Sequence, residues 1–183
     1  MDSLLFTARS IWTMIHGIVL GGGALLGLAA ALFSLATMRV MKSGDLVDAT
    51  ARNQARYLGW LLGFVALALW STVLIGTYVN FPDYRAVPPE GLADLARYPK
   101  SLIQSRPGTA WLHSLAMEIK EHVPWIAAML ATGAAFVVIR ERSRLLCDAP
   151  LRRMMVLLLG ISFILVSVVS LLGVFINKVA PLE

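Results

Sequence analysis

The sequence predicts an all-α fold, a bundle of four transmembrane helices with a Pro-rich extracytoplasmic loop between helices 2 and 3. Three observations predict it. The chain is 58% hydrophobic and only 15% charged, whereas soluble domains carry about a quarter charged residues. Four long apolar runs account for that excess, each flanked by basic or aromatic residues. Five of the eight prolines (Pro82, Pro88, Pro89, Pro99 and Pro107) gather in the one long stretch that is not apolar. At 183 residues, four spans leave no room for a separate soluble domain, so residues 1–183 read as a single membrane domain.

The first run has an apolar body at 11–36, between Arg9 and Arg39. At about 1.5 Å per residue it crosses a hydrocarbon core of roughly 30 Å with some tilt. It is too long for the apolar region of a cleaved signal peptide, which is about 7–15 residues, so a helix of the mature protein is expected. Gly17 and Gly21 form one GxxxG pair, and Gly23 and Gly27 a second. Small residues four apart let backbones approach closely in lipid, and Gly21 is expected to mark the packed face. A polar connector follows, from Met38 to Arg56. The second span is expected at 57–78, with Tyr57, Trp60 and Tyr78 near its ends as interfacial aromatics are, and Trp70 deeper as a packing residue.

The stretch 80–122 reads as an outer loop and entry helix. Its prolines forbid one continuous helix, and Phe81, Tyr84 and Tyr98 argue for order. One short helix is expected at Gly91 to Arg97. After the Pro107-Gly108 break, Thr109 is the expected N-cap. Trp111, Leu112, Leu115, Ile119 and His122 or Val123 would share one face of an interfacial entry turn. At Pro124 the chain either starts a new helix or kinks a single one. The third span is then short, 123–139. A hairpin around Pro150, with Arg140, Arg142, Arg144, Arg152 and Arg153, leads to the fourth span at 154–176.

The formal charge of +5 is no argument for nucleic acid, because the basic residues flank apolar runs, where they set topology and meet anionic lipid. The single cysteine, Cys147, excludes an internal disulfide and a CxxC metal site. The two short connectors hold four and five Lys/Arg against seven on the opposite side. Short loops weigh most in setting orientation, so both termini and the long loop are expected outside and both basic connectors in the cytoplasm.

The chemistry-bearing residues gather at the outer mouth. His16 lies one to two turns inside span one, and His122 sits at the outer end of span three; odd-numbered spans run in the same direction. Two histidines from different helices at similar depth permit the axial ligation of one b-type haem. Glu118 and His122, four apart on one helical face, with His16 or His113 as a third ligand, permit a single transition metal instead. Quinone chemistry is a further reading of the same mouth. The plainest reading has no cofactor: Glu118, Lys120 and Glu121 as a solvated, self-paired face, with Lys120 or Arg106 as partner, and His16 bonded to a backbone carbonyl or to Glu118.

The segments GTYVNFPDYRAVPP, residues 76–89, and MEIKEHVPW, residues 117–125, resemble small uncharacterised bacterial membrane proteins of four helices. The resemblance covers the second half of the chain, implies no catalytic residue, and places the protein in a bacterial inner membrane. The layout is also loosely similar to membrane b-type cytochromes. No helix here carries the pair of histidines that two stacked haems would need, which limits that similarity to one haem.

The expected function is that of an integral membrane subunit with a polar redox site near the outer surface, working with other membrane subunits of a respiratory-type complex. The competing expectation is a non-catalytic accessory subunit whose outer loop binds a partner. A transporter is weaker, since spans two and four offer only Ser71, Thr72, Ser162, Ser167 and Ser170 as polar groups. The orientation has a direct test. A cysteine placed at Ser43 should be shielded from an impermeant outside reagent and one at Glu90 labelled, and the reverse pattern would overturn it.

Overall fold

A computed structural model describes residues 7–38 and 49–181; most of the connector expected at 38–56, Ser43 included, lies outside the described residues. All secondary structure among them is helical. Four helices are long and apolar enough to cross a membrane: α1, Ala8–Thr37; α2, Ala49–Tyr84; α4, Leu112–Arg140; and α6, Ala149–Val179. Two short helices connect them, α3 at Pro99–Gln104 and α5 at Arg142–Cys147. Each long helix packs mainly on its neighbours in sequence, and α6 closes the ring against α1. The end with α3 and the long loop is called the loop end, the other the hairpin end.

The long helices outrun the apolar bodies read from the sequence. Polar residues do not stop a helix, so α2 begins at Ala49, well before Tyr57, and runs past Tyr78 to Tyr84. The third span was expected at 123–139 with a distinct entry turn. Of the two courses expected at Pro124 the single helix forms, beginning at Leu112 with Pro124 inside it. Pro124 lacks an N–H and loses one backbone bond, but the helix continues through it. The entry face also differs from the expected one. Residues Leu112–Met117 are π-helical, and the wider turn shifts the register. Leu112, Ala116 and Met117 are buried there, while Leu115 is exposed.

Two further expectations in the loop are corrected. The short helix forms at Pro99–Gln104 and not at Gly91 to Arg97, because Pro99 supplies a pre-set first helical residue whereas Gly91 sits in a turn at φ +78°. Thr109 is not an N-cap. Its hydroxyl donates to the Ile103 carbonyl at 2.8 Å, which ties the end of α3 to the approach to α4.

The core along most of the bundle is built on α4. Ala127, Ala128, Ala131, Ala134 and Ala135 are buried, with Val138, along one face. Small side chains at i, i+4 and i+7 let the neighbouring backbones come close. Leu28, Leu58, Leu62, Val65, Met155 and Leu159 pack into the same cluster. Trp70 Nε1 donates to Thr132 Oγ1 at 3.0 Å, joining α2 to α4. A second cluster at the loop end seats α3 against the end of α6, with Ile103, Leu112, Met117 and Ile176 at its centre.

The glycines of α1 divide differently from expectation. A Cβ on Gly21 would meet only the His16 carbonyl of its own helix, at 3.3 Å, and one on Gly17 or Gly23 would meet nothing. The packing glycine is Gly27, where a Cβ would run into Val65 of α2. On α2, a Cβ at Gly59 would lie 3.2 Å from Ile139, and Gly63 faces open space.

The hairpin end is held by a buried arginine. Arg152 Nη1 donates to the Met38 carbonyl at 2.7 Å, and Nη2 to Leu146 and Leu145 at 3.3 and 3.4 Å. A cation on the carbonyls that end α1 and α5 satisfies groups a helix leaves open. Asp148 caps α6 by accepting from Leu151 N at 2.9 Å.

These contacts predict a contrast between two glycines. Gly27→Ala should destabilise the protein in detergent by roughly 1–3 kcal/mol, as overpacking does, whereas Gly63→Ala should leave the thermal midpoint within about 2 °C of wild type. Equal midpoints for the two variants would rule out Gly27 as a packing contact.

Candidate functional site

At the hairpin end small residues close the bundle, and at the loop end larger and polar side chains replace them. The helical geometry changes there as well. Three of the four long helices turn π-helical toward this end, at Ile15–Gly22 in α1, Gly76–Asn80 in α2 and Leu112–Met117 in α4. Such wide turns re-aim side chains and recur at functional sites. Between the four helices lies a cavity of about 720 Å3, lined among others by His16 and Thr72, Lys120 and Trp125, and Gly173 and Asn177. That volume is in the range of small-molecule sites.

His16 is the best-fixed polar group in it. Its Nδ1 lies 2.8 Å from the Thr72 carbonyl oxygen of α2. A carbonyl only accepts, so Nδ1 carries the hydrogen, and in the neutral ring Nε2 keeps its lone pair. Gly76, one turn beyond Thr72, makes the space. A Cβ there would stand 2.7 Å from His16 Cε1 and 3.5 Å from Nε2. The imidazole therefore sits in a notch on α2, with a backbone carbonyl setting its tautomer, the orienting arrangement that ligand histidines commonly have.

His122 lines the same cavity but at its rim. Its side chain is 72% exposed, with Nδ1 2.8 Å from the Glu118 carbonyl of its own helix and 3.9 Å from the Glu118 carboxylate. Glu118 is exposed and does not line the cavity. Among the described residues no three His, Cys, Asp or Glu side chains gather as a metal site requires, so Glu118, His122 and His16 are not assembled as one. His113 is outside the cavity, with Nδ1 3.0 Å from the hydroxyl of the buried Tyr84.

The residue that the sequence reading misplaced is Lys120. It is not part of a solvated, self-paired face. It is half-buried and lines the cavity together with His16. Its Nζ reaches α6, where a Cβ on Gly173 would stand only 2.8 Å away. Helical spacing could have found it, since Lys120 lies four residues from Ala116 and from Pro124, both on the inward side of α4. Trp125 forms another wall and is backed by Trp70, edge to face at 5.8 Å between ring centres.

The sequence matches no protein-family model, and neither a curated protein nor a solved structure matches the chain. The site therefore stands on its own geometry, and the Gly76 notch is its most direct test. Gly76→Ala should push the His16 ring off the Thr72 carbonyl and cost about 1–3 kcal/mol, the cost of leaving a buried polar group without its partner. His16→Ala should cost a similar amount. The double variant should be no less stable than the worse single one, because both remove one shared contact. Additive losses in detergent unfolding would separate the two residues.

Proposed function

We propose that this protein is an integral membrane subunit whose loop-end cavity binds a lipid-soluble redox carrier of the quinone/quinol class, facing the outer side of the membrane within a respiratory-type complex. The observation that supports this reading is His16. Its Nδ1–H is committed to the Thr72 carbonyl, so Nε2 can accept a hydrogen bond from a quinol hydroxyl. The walls suit the ring and tail of such a molecule, with Trp125 and Val166 on one side and Met14 and Val73 on others. A pocket that is mostly apolar with a few convergent polar groups is the usual form of a ligand site. The outward placement rests on the arginines of the hairpin end, Arg140, Arg142, Arg144, Arg152 and Arg153, which favour the cytoplasm.

One b-type haem between His16 and His122 is the second reading, because both rings line the cavity and the His16 Nε2 lone pair is also what iron takes. An exposed His122 bonded to its own helix turn favours the quinol over the haem. The purified protein separates these readings. Its absorption spectrum, oxidised and then reduced, should lack haem bands, and a tailed quinol should bind in neutral detergent. His16→Ala should weaken that binding roughly tenfold, the worth of one hydrogen bond, while His113→Ala leaves it unchanged. A haem spectrum lost in both His16→Ala and His122→Ala would replace the quinol with haem. No haem and no quinol binding would leave the accessory subunit, with its exposed loop around Val87 as a partner surface.

A further inference from the structure

We infer that Lys120 is the specificity-determining contact of this cavity, a positive charge that selects a ligand with an anionic oxygen head over a neutral one of the same shape. The inference deepens the quinol reading and rests on it.

Lys120 makes no hydrogen bond and no ion pair with any described residue. The carboxylates on its own helix turn do not pair with it. Glu118 stands beside His122, and Glu121, which also lines the cavity, forms no ion pair with Lys120. A lone ammonium among apolar walls is a net cost until an anion meets it. Once met, the pair is stronger there than in water, because the surroundings screen it less.

The amine lies against the facing helix. Nζ rests where α6 has no side chain, against Gly173. Any larger residue would displace it. His16 and Lys120 then offer opposite chemistry to one ligand. Nε2 accepts from a hydroxyl, and the ammonium donates to an oxygen that carries charge. Neutral amphiphiles satisfy the first group only; a ligand with an acidic hydroxyl, ionised at neutral pH, satisfies the second.

The test uses the full-length protein in neutral detergent and two probes that share one apolar tail: an alkylated 2-hydroxy-1,4-naphthoquinone, ionised at neutral pH, and its 2-methoxy analogue, which has no charge. Equilibrium binding should favour the ionised probe by about tenfold or more in wild type. Lys120→Met should abolish the preference for the ionised probe over the methoxy probe, and Lys120→Arg should retain part of it. Gly173→Ala keeps the charge but crowds the amine, so it should lower the preference, by less than Lys120→Met does. It also serves as the second variant if Lys120→Met does not fold. Equal binding of both probes to wild type, or a preference that survives in Lys120→Met, would overturn the role of Lys120 and leave the cavity reading standing. If neither probe binds while a tailed quinol does, the role of Lys120 is overturned; if the quinol fails to bind as well, the cavity reading falls with it.

Discussion

The close approach of α4 to its neighbours, made possible by its alanine face, is the constraint on which the rest of the bundle depends. Ala127, Ala128, Ala131, Ala134 and Ala135 are buried, so the helices come together with little between them. Helices are stiff over this length, and a tight seam toward the hairpin end fixes where they stand at the loop end. There the alanines give way to Trp125, Lys120 and Met117, the helices turn π-helical, and space opens. Closure at one end and a cavity at the other are two results of one gradient in side-chain size along α4.

Within that space the polar groups are held by backbone more than by each other. His16 is set by the Thr72 carbonyl and by the missing side chain of Gly76. Lys120 is set by the missing side chain of Gly173. In each case a glycine on the facing helix supplies the room. The two glycines come from α2 and α6, so both polar groups depend on the packing of helices other than their own. Changes far down the bundle that shift α2 or α6 by a fraction of a turn would move both.

Four apolar helices were legible from hydropathy, because span length and the polar connectors are properties of the local sequence. The gathering of polar residues near His16 was legible too, since both odd-numbered helices run the same way. Which residues meet was not. Helical phase at the entry of α4 depends on a π-helical stretch at Leu112–Met117, and no residue type there announces it. The plainest sequence reading grouped Lys120 with Glu118 and Glu121 as one solvated face, although its spacing of four from Pro124 was a signal that it turns inward. The same limit explains Gly21 and Gly27. Both are small residues in GxxxG pairs, and only the packed arrangement shows that Gly27 meets Val65 while Gly21 meets its own helix. Arg152 read as a topology signal, and its carbonyl partners come from segments that local sequence cannot bring together.

That arginine has a consequence for how the chain is made. Met38 and Arg152 are separated by 114 positions, and the ribosome delivers them in that order. The carbonyl that ends α1 therefore has no guanidinium to meet until α6 has been synthesised. Closing the ring between the first helix and the last is a late event of biogenesis, and a chain cut short before Arg152 would leave the end of its first helix uncapped.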